Sequence, residues 1–283
     1  MNKVLITGKG SYIGSRAKQW LEREGYTVEE LDMQKENWQK FDFSKYECII
    51  HVAGIAHVSS DPKMKELYYK VNRDLAIQTA QKAKKEGIKQ FIFMSSMIIF
   101  GKDGRIGENK IITNKTQPDP IDCYGKSKLE ADLEIQKMGD DKFKTVIIRT
   151  PMVYGPGCKG NFPKLKKIAK ISPIFPDIEN KRSMIYIDNL CEFFKQAIEK
   201  QYSGVFYPQN REYLSTKEIV KILAEEQEKR IHFTKAFNGI IKLLSKKINY
   251  INKVFGNKAY SKELTNNFDY IVIENEDSIR RSI

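Results

Sequence analysis

Cysteine is scarce in this chain of 283 residues, and its spacing excludes the sites that depend on it. The cysteines are Cys48, Cys123, Cys158 and Cys191, and no two of them form a C-x-x-C pair. A cysteine zinc site or a disulfide framework needs closer and more regular spacing. We therefore predict no metal site, and we expect free thiols in a reducing cytoplasm.

Long apolar runs are also missing from the chain. None approaches the roughly 20 residues that a transmembrane helix needs. The opening residues, MNKVLITG, lack the apolar stretch and cleavage site of a signal peptide, and they predict a strand that begins almost at once. The composition, 41% hydrophobic and 30% charged, is that of a globular protein with a sizeable core. We expect a cytoplasmic protein.

Acidic residues are absent from one stretch of a chain whose net charge is +13. Between Arg230 and Lys262 there are eight Lys or Arg and no Asp or Glu. We interpret this basic segment as a solvated helical face, with contact to acidic lipid headgroups as the alternative. Apolar residues recur in it at helical spacing, and we expect them to pack in a core rather than against a membrane. They are Phe237, Ile240, Ile241, Leu244, Ile248 and Ile251.

Short apolar runs alternate with helical patterns through the first half of the chain. The pattern predicts strands at 4–7, 27–31, 48–53, 90–96 and 145–149, and helices at 15–24, 72–86 and 124–138. This alternation predicts an α/β fold, a Rossmann-type doubly wound parallel sheet. Turn residues cluster after Pro151. We expect a sheet domain over 1–155 and a smaller, mostly helical substrate-binding lobe over 156–283, with a capping box at Ser215–Glu218.

Glycines recur where the first strand meets the first helix, in the sequence TGKGSYIG of residues 7–14. Glycine there permits a sharp turn, close approach of the backbone to a pyrophosphate, and close packing of helix on strand. The helix N-terminus offers amide donors to the phosphates. We therefore expect dinucleotide contacts from Gly8, Gly10, Ser11, Tyr12, Ile13 and Gly14.

An acidic residue, Asp32, follows the second strand 18 positions after Gly14. A carboxylate there accepts hydrogen bonds from the adenosine ribose and repels a 2′-phosphate. The position predicts NAD as the cofactor. Lys9 and Lys35 partly offset that preference, so NADP remains an alternative.

Three polar residues predict redox chemistry between an alcohol and a carbonyl. Tyr124 and Lys128 lie four apart in a predicted helix and so share a face. An ammonium beside a phenol lowers the phenol pKa from about 10, which prepares Tyr124 to take a proton from a substrate hydroxyl. Ser96 ends a predicted parallel strand, at the edge where open sheets place their sites. We predict Ser96, Tyr124 and Lys128 as catalytic residues.

Five segments together resemble the extended short-chain dehydrogenase/reductases, the NAD-dependent epimerase/dehydratase family that includes UDP-glucose 4-epimerase. The resemblance extends from the first strand to about Asn189, and weakly beyond. The segments are Thr7–Gly14, His51–Gly54, Phe93–Gly101, Tyr124–Lys128 and Arg149–Gly157.

The resemblance implies further roles by position. Ser96 matches the catalytic Ser/Thr, and Tyr124 and Lys128 would also hold the nicotinamide ribose. Arg182 matches an arginine that contacts the substrate diphosphate, a task that suits its planar fork. The other implied cofactor contacts are Asp42 and Phe43 at the adenine, Val52, Ala53 and Gly54 at the pyrophosphate, Asn72 as a brace, and Pro151 and Val153 at the nicotinamide. Asn161 and Phe162, like Ser96, would contact the substrate.

Two departures from the family pattern are informative. Ser11 stands where the family has a glycine, which implies a slight shift of the loop. Sugar 4,6-dehydratases of the family carry Asp-Glu after the site Ser/Thr, whereas this chain carries Met97 and Ile98. Neither side chain can move a proton, so dehydration is not expected.

The resemblance leaves two reactions at C4 of a nucleotide-sugar, with a UDP-hexose as the expected substrate. An epimerase keeps its NAD and passes through a transient 4-keto sugar. An NAD(P)H-dependent 4-keto reductase delivers hydride once to a UDP-deoxysugar. The segment 180–189 and the short chain favour polysaccharide biosynthesis for either, and the family implies a homodimer. A remote alternative is a non-catalytic NAD- or RNA-binding protein, but no basic-aromatic pattern supports it and we expect no nucleic-acid partner.

Overall fold

The structure is a computed structural model that describes residues 3–35, 37–55, 64–265 and 267–283. Twelve strands lie within these ranges. They are β1 Lys3–Thr7, β2 Thr27–Leu31, β3 Cys48–His51, β4 Gln90–Ser96, β5 Ile111–Ile112, β6 Lys144–Thr150, β7 Met152–Tyr154, β8 Ile174–Pro176, β9 Met184–Tyr186, β10 Gly204–Phe206, β11 His232–Thr234 and β12 Ala259–Tyr260.

Ten α-helices lie within the same ranges, together with short 3₁₀ turns. They are α1 Tyr12–Arg23, α2 Met64–Tyr68, α3 Leu75–Lys85, α4 Cys123–Met138, α5 Phe162–Ile171, α6 Ile187–Glu199, α7 Thr216–Glu226, α8 Asn238–Ser245, α9 Asn249–Phe255 and α10 Asn275–Arg280. A π-helical turn, Tyr69–Asp74, joins α2 to α3. The predicted helix over 72–86 therefore starts in this turn.

Six strands form one parallel sheet in the order β10-β6-β4-β3-β1-β2. Its central strands are almost continuous apolar runs because helices cover both faces of a parallel sheet. The order reverses around β1, as in a doubly wound fold, and places the carboxyl ends of β1, β3 and β4 along one edge. The predicted fold class is confirmed. The sequence patterns did not reveal β10, whose three residues are only partly buried or exposed.

The chain divides into two compact units that interleave along the sequence. Unit 1 comprises Met1–Gly101, Gln117–Pro151 and Ile187–Pro208, and it holds the six-stranded sheet. Unit 2 comprises the remaining segments, Lys102–Thr116, Met152–Tyr186 and Gln209–Ile283. This division differs from the expected boundary at residue 155, because the chain returns to unit 1 over Ile187–Pro208. That segment contains α6 and β10, and β10 is the edge strand of the six-stranded sheet.

Unit 2 contains three two-stranded parallel pairs, β5–β12, β7–β9 and β8–β11, among five helices. Buried Asn180 connects several of its segments. Its Nδ2 donates to the carbonyls of Val254 and Gly256, and its Oδ1 accepts from the amide of Thr216 at 2.8 Å. The predicted capping box is present at the start of α7, with Ser215 and Glu218 bonded reciprocally.

The apolar stripe of the basic segment does not pack in a core. Phe237, Ile240, Leu244 and Ile248 are all exposed, so the core-packing expectation is wrong for them. The buried residue of α8 is instead Ser245. Among the described residues, no helix has both the length and the apolar character to cross a membrane.

Candidate active site

The glycine loop after β1 brings two stretches of backbone into contact. Gly8 has φ +101°, a conformation that only glycine adopts readily. A Cβ built at Gly8 would lie 2.9 Å from the Cα of Ala53. Any side chain would therefore push apart the loops after β1 and β3, which face the same end of the sheet.

Ser11 forms the start of α1. Its Oγ accepts a hydrogen bond from the amide of Gly14 at 3.1 Å, which caps the helix. A Cβ at Gly14 would meet Ile6 at 3.2 Å, so this glycine keeps the helix close to β1. Tyr12 and Ile13 are the first residues of α1, where backbone amides suit a phosphate. The serine that departs from the family pattern thus serves as the helix cap.

A cleft of about 840 Å³ opens beside this loop, entirely within unit 1. A lined concavity of this size is typical of a cofactor site. Its walls include seven of the residues expected to hold the cofactor. These are Gly8, Gly10, Ser11, Asp32, Val52, Ala53 and Gly54. The close approach at Gly8 and the helix N-terminus fit a dinucleotide diphosphate.

The cleft also has walls that the motifs did not reveal. They are Lys9, Met33, Gln34, Trp38, Gln39, Ile55, Leu67, Lys70, Val71, Asp74, Leu75 and Gln78. Most come from the loop after β2 and from the π turn. Trp38 carried a usable signal, because an indole soon after an acidic β2 terminus can stack on a base.

The two acidic positions expected near the adenosine differ in the structure. Asp32 lines the cleft, and its Oδ1 accepts from the amide of Gln34 at 3.0 Å. Asp42 is exposed and accepts from both the amide and the hydroxyl of Ser44, which lowers the pKa of Asp42. Phe43 is fully buried, and its amide donates to Glu86 at 2.7 Å. Neither Asp42 nor Phe43 is among the residues that line the cleft.

Asn72 lies fully buried in the π-helical turn. Its Oδ1 accepts from the amide of Ile55 at 2.8 Å, and its Nδ2 donates to the Ile55 carbonyl at 3.1 Å. The same Nδ2 lies 3.5 Å from Ser127 Oγ on α4. The side chain therefore connects the loop after β3 to the helix that carries Tyr124, which is the bracing position expected of it.

Ser96 and Tyr124 meet at the carboxyl end of β4. Ser96 is the last residue of that strand and Tyr124 lies in the first turn of α4, whose N-cap is Asp122. Burial raises the pKa of Tyr124 to about 12, and a hydrogen bond to Ser96 offsets part of the rise. The expected lowering of this pKa by Lys128 is therefore not met, because burial of the phenol dominates and the Ser96 hydrogen bond is the group that opposes it.

Lys128 is buried on the next turn of α4. Its Nζ donates to the Met94 carbonyl at 2.9 Å and lies 4.9 Å from the centroid of the Phe93 ring. Burial lowers the pKa of Lys128 to about 8, with the negative charge of Asp132 opposing the shift. A Cβ at Gly54 would lie 3.2 Å from Nζ. The ammonium therefore reaches the wall of the cofactor cleft.

A buried carboxylate lies one turn beyond Lys128. Asp132 accepts from both Nε and Nη2 of Arg149 on β6, at 3.0 and 2.9 Å. It also accepts from Ser95 on β4 at 2.6 Å and from Gln136 at 2.6 Å. Both carboxylate oxygens are satisfied, so the network fastens α4 to the two strands beneath it. Nothing in the sequence pattern pointed to it.

Unit 2 holds the residues expected to contact the substrate. Arg182 and Asn161 line one cavity of about 240 Å³ whose other walls are mostly apolar. Arg182 donates to the Gly256 carbonyl at 3.0 Å and lies 3.5 Å from a carboxylate oxygen of Asp103. Phe162 is buried and its ring stacks on Tyr154, with 5.0 Å between centroids.

The two residues expected at the nicotinamide amide lie just beyond the sheet. Pro151 follows β6 at the end of a segment of unit 1. Val153 belongs to unit 2, in β7, where it pairs with Ile185 of β9.

Comparison with known proteins supports the family resemblance that the sequence motifs carry. The sequence model of the NAD dependent epimerase/dehydratase family matches residues 4–207. A UDP-glucose 4-epimerase of Vibrio cholerae is 36% identical over 186 residues, which cover 62% of this chain and 56% of that protein. The chain thus spans little more than half the length of that relative.

Two further comparisons extend beyond that stretch. An N-acetyl-α-D-glucosaminyl-diphospho-ditrans,octacis-undecaprenol 4-epimerase of Escherichia coli O157:H7 is 26% identical over 255 residues, 81% of this chain and 74% of that protein. The crystal structure of a UDP-glucuronic acid 4-epimerase from Bacillus cereus has the same fold, with a TM-score of 0.74 and 18% identity over 99% of this chain and 97% of that one. With its glycine loop, its Ser96–Tyr124–Lys128 site and the family match, the chain is an enzyme of the NAD-dependent epimerase/dehydratase family.

Proposed function

We propose that the protein is a 4-epimerase of a nucleotide-sugar, acting on a UDP-hexose through a transient 4-keto intermediate in surface polysaccharide biosynthesis. One observation carries the proposal. Ser96, Tyr124 and Lys128 lie together at the sheet edge that also bears the cofactor cleft, and Met97 and Ile98 follow Ser96 where a dehydratase has carboxylates. The site can move a proton on and off one oxygen, and the two positions after Ser96 supply no acid-base pair for dehydration.

The chain's own groups account for the proton transfers. NAD, held by the residues of the cleft, would supply the hydride acceptor for C4 and then the hydride donor. Tyr124 takes the proton of the C4 hydroxyl in the first half-reaction and gives it back to the carbonyl oxygen in the second. Ser96 donates a hydrogen bond to that oxygen. The hydrogen bond from Ser96 opposes the burial that raises the pKa of Tyr124.

The proposal also concerns the diphosphate group that carries the sugar. Arg182 is the group proposed to hold a diphosphate in the cavity of unit 2, with Asn161 beside it. The leading carrier is UDP, as the relative from Vibrio cholerae acts on UDP-glucose. A second candidate, a polyprenyl diphosphate, is favoured by the apolar side chains that form most of that cavity, among them Leu165, Ile168 and Val254.

Turnover without added cofactor tests the reaction. The purified enzyme should carry tightly bound NAD and interconvert UDP-glucose and UDP-galactose unaided. Tyr124→Phe should lower kcat about 100-fold or more while the bound NAD is retained. Tyr202→Phe, in a ring that stacks on Phe206, is the matched control and should leave kcat unchanged.

Two results would redirect the assignment. Turnover only with added NADH or NADPH and a 4-keto sugar would replace the epimerase with a 4-keto reductase. Epimerisation of an undecaprenyl-diphosphate sugar, with none of the UDP-hexose, would keep the epimerase and change its carrier.

We further propose a cytoplasmic homodimer, as the family resemblance implies. Sedimentation equilibrium over a hundredfold range of protein concentration tests this. A mass of one chain throughout, from a chain of 32.9 kDa, would contradict it.

A further inference from the structure

Helix α8 and the residues around it present an apolar surface to solvent. The relative exposures of its large side chains are Phe237 48%, Ile240 62%, Leu243 64%, Leu244 43% and Ile248 45%. Spacings of three and four place Phe237, Ile240 and Leu244 along one side of a helix. We call these five residues the α8 face.

The α8 face is turned away from the protein's own packing. A surface helix ordinarily buries its apolar stripe and exposes its polar side. Here the buried residue is Ser245, whose Oγ donates to the Lys242 carbonyl at 2.8 Å. Asn252 of α9 donates to the Ser245 carbonyl, also at 2.8 Å. A polar contact thus joins α8 to α9, and burial within unit 2 does not explain the exposed apolar side chains.

Basic residues accompany the α8 face. Lys235, Lys242, Lys246, Lys247 and Lys253 are all exposed. The segment from Arg230 to Lys262 contains no acidic residue that could pair with them. An acidic residue from outside the segment, Asp177, lies at the start of α8, where its backbone carbonyl accepts from Asn238. Within the segment itself the apolar side chains are accompanied by basic charge alone, which complements a bilayer that carries anionic headgroups.

We propose that the α8 face docks the enzyme on the surface of an anionic membrane. The apolar side chains enter the interface and the lysines contact lipid phosphates, while α8 and α9, of eight and seven residues, lie along the surface. A second copy of the chain is the weaker occupant, because two such faces would bring like charges together. The face lies beyond residue 207, where the family match ends, so it is a property of this chain and not of the family model. The proposal does not depend on the sugar or on the reaction.

Vesicle co-sedimentation of the full chain tests the proposal. The protein should bind vesicles of 30% phosphatidylglycerol in phosphatidylcholine and not vesicles of phosphatidylcholine alone, and added salt should release it. Ile240→Ser with Leu243→Ser should weaken binding about tenfold or more. Lys246→Glu with Lys247→Glu should do the same through charge.

Matched variants control for net charge and for exposed apolar area. Lys85→Glu with Lys89→Glu, on unit 1, makes the same charge change, and Leu133→Ser removes an exposed leucine of α4. Both should bind the anionic vesicles like the unaltered protein. Equal loss with the controls, or no binding to anionic vesicles, would overturn the proposal. So would concentration-dependent self-association that Ile240→Ser with Leu243→Ser abolishes while vesicle binding is unchanged.

Discussion

Lys128, predicted to be catalytic, opposes the stability of the fold through its burial. Its ammonium is buried on α4, and that burial lowers its pKa from 10.5 to about 8. The unfolded chain therefore holds the proton more tightly than the folded one. By linkage this difference costs about 3 kcal/mol of stability at pH 7, where both states are protonated.

Lys128→Met should therefore raise the free energy of unfolding at pH 7 by up to about 3 kcal/mol while abolishing turnover. As pH rises from about 8 through 10.5, the unaltered protein should gain on the variant, since only its unfolded state still binds the proton. Urea unfolding at pH 7 and pH 10.5 measures the gap. A gap that widens with pH would contradict the assignment, and Lys137→Met, on the exposed side of α4, is the control.

Asp32 is the residue on which we expect the choice between NAD and NADP to depend. Its carboxylate lines the cleft, whereas Asp42 forms a turn with Ser44 outside it. Asp32→Asn keeps the turn geometry and removes the charge that repels a 2′-phosphate. The ratio of the Kd for NADP to that for NAD should fall about tenfold in Asp32→Asn. Asp42→Asn should leave this ratio unchanged. If the two substitutions lowered the ratio equally, the assignment of Asp32 would be contradicted and the adenosine would lie near Asp42, where the family resemblance implies the adenine.

Helix α4 is the element that assembles the site, because it carries Tyr124 and Lys128 and is fastened through Asp132. The Asp132 carboxylate joins α4 to Arg149 of β6 and Ser95 of β4, all of them buried. Asp132→Ala leaves the guanidinium buried and unpaired. We expect a loss of about 3–5 kcal/mol in the free energy of unfolding, measured with urea. Glu134→Ala, which removes an exposed ion pair with Lys137 on the same helix, should cost less than about 1 kcal/mol.

The elements that the sequence predicted are those whose own residues determine them. The central strands are apolar runs bounded by turn residues, and the bounds of β2 and β4 agree with the predicted 27–31 and 90–96. The π turn before α3 has no such local signature, because it depends on Asn72 bonding to Ile55 across the fold. The same holds for β10, which is a strand only because it pairs with β6.

Helix α8 was misinterpreted for a related reason. Its stripe of apolar residues has the spacing of a core helix, and spacing alone does not say which side of the helix the rest of the protein covers. A similar distinction applies to the site residues, some of which are recognisable from their sequence neighbours alone. Gly8 and Asp32 were predictable from local chemistry, whereas Asp132 needed the three-dimensional structure.

At the scale of the molecule, the tryptophans report on only one of the two units. The chain has two, Trp20 in α1 and Trp38 in the cleft wall, and both belong to unit 1. Adding NAD to enzyme that has been stripped of its bound NAD should change the fluorescence of Trp38. It should also raise the free energy of unfolding seen by fluorescence, by about 2.7 kcal/mol when NAD is at 100 times its Kd.

Trp38→Phe should abolish the spectral change while Trp20 still reports the shifted unfolding midpoint. Trp20→Phe should have the opposite effect and preserve the spectral response to NAD. If the response survived in Trp38→Phe, the cofactor would not lie against the wall that Trp38 forms.

The interleaving of the two units bears on how such an enzyme can be re-engineered. The chain passes between unit 1 and unit 2 five times, after residues 101, 116, 151, 186 and 208. A graft with a single crossover between residues 101 and 208 would therefore exchange parts of both units, and one just after residue 208 would separate the segments that line the cavity around Arg182. If the proposed assignment of the substrate to unit 2 holds, altered specificity comes from individual substitutions within Met152–Tyr186 and Gln209–Ile283, or from replacing all three segments of unit 2 together.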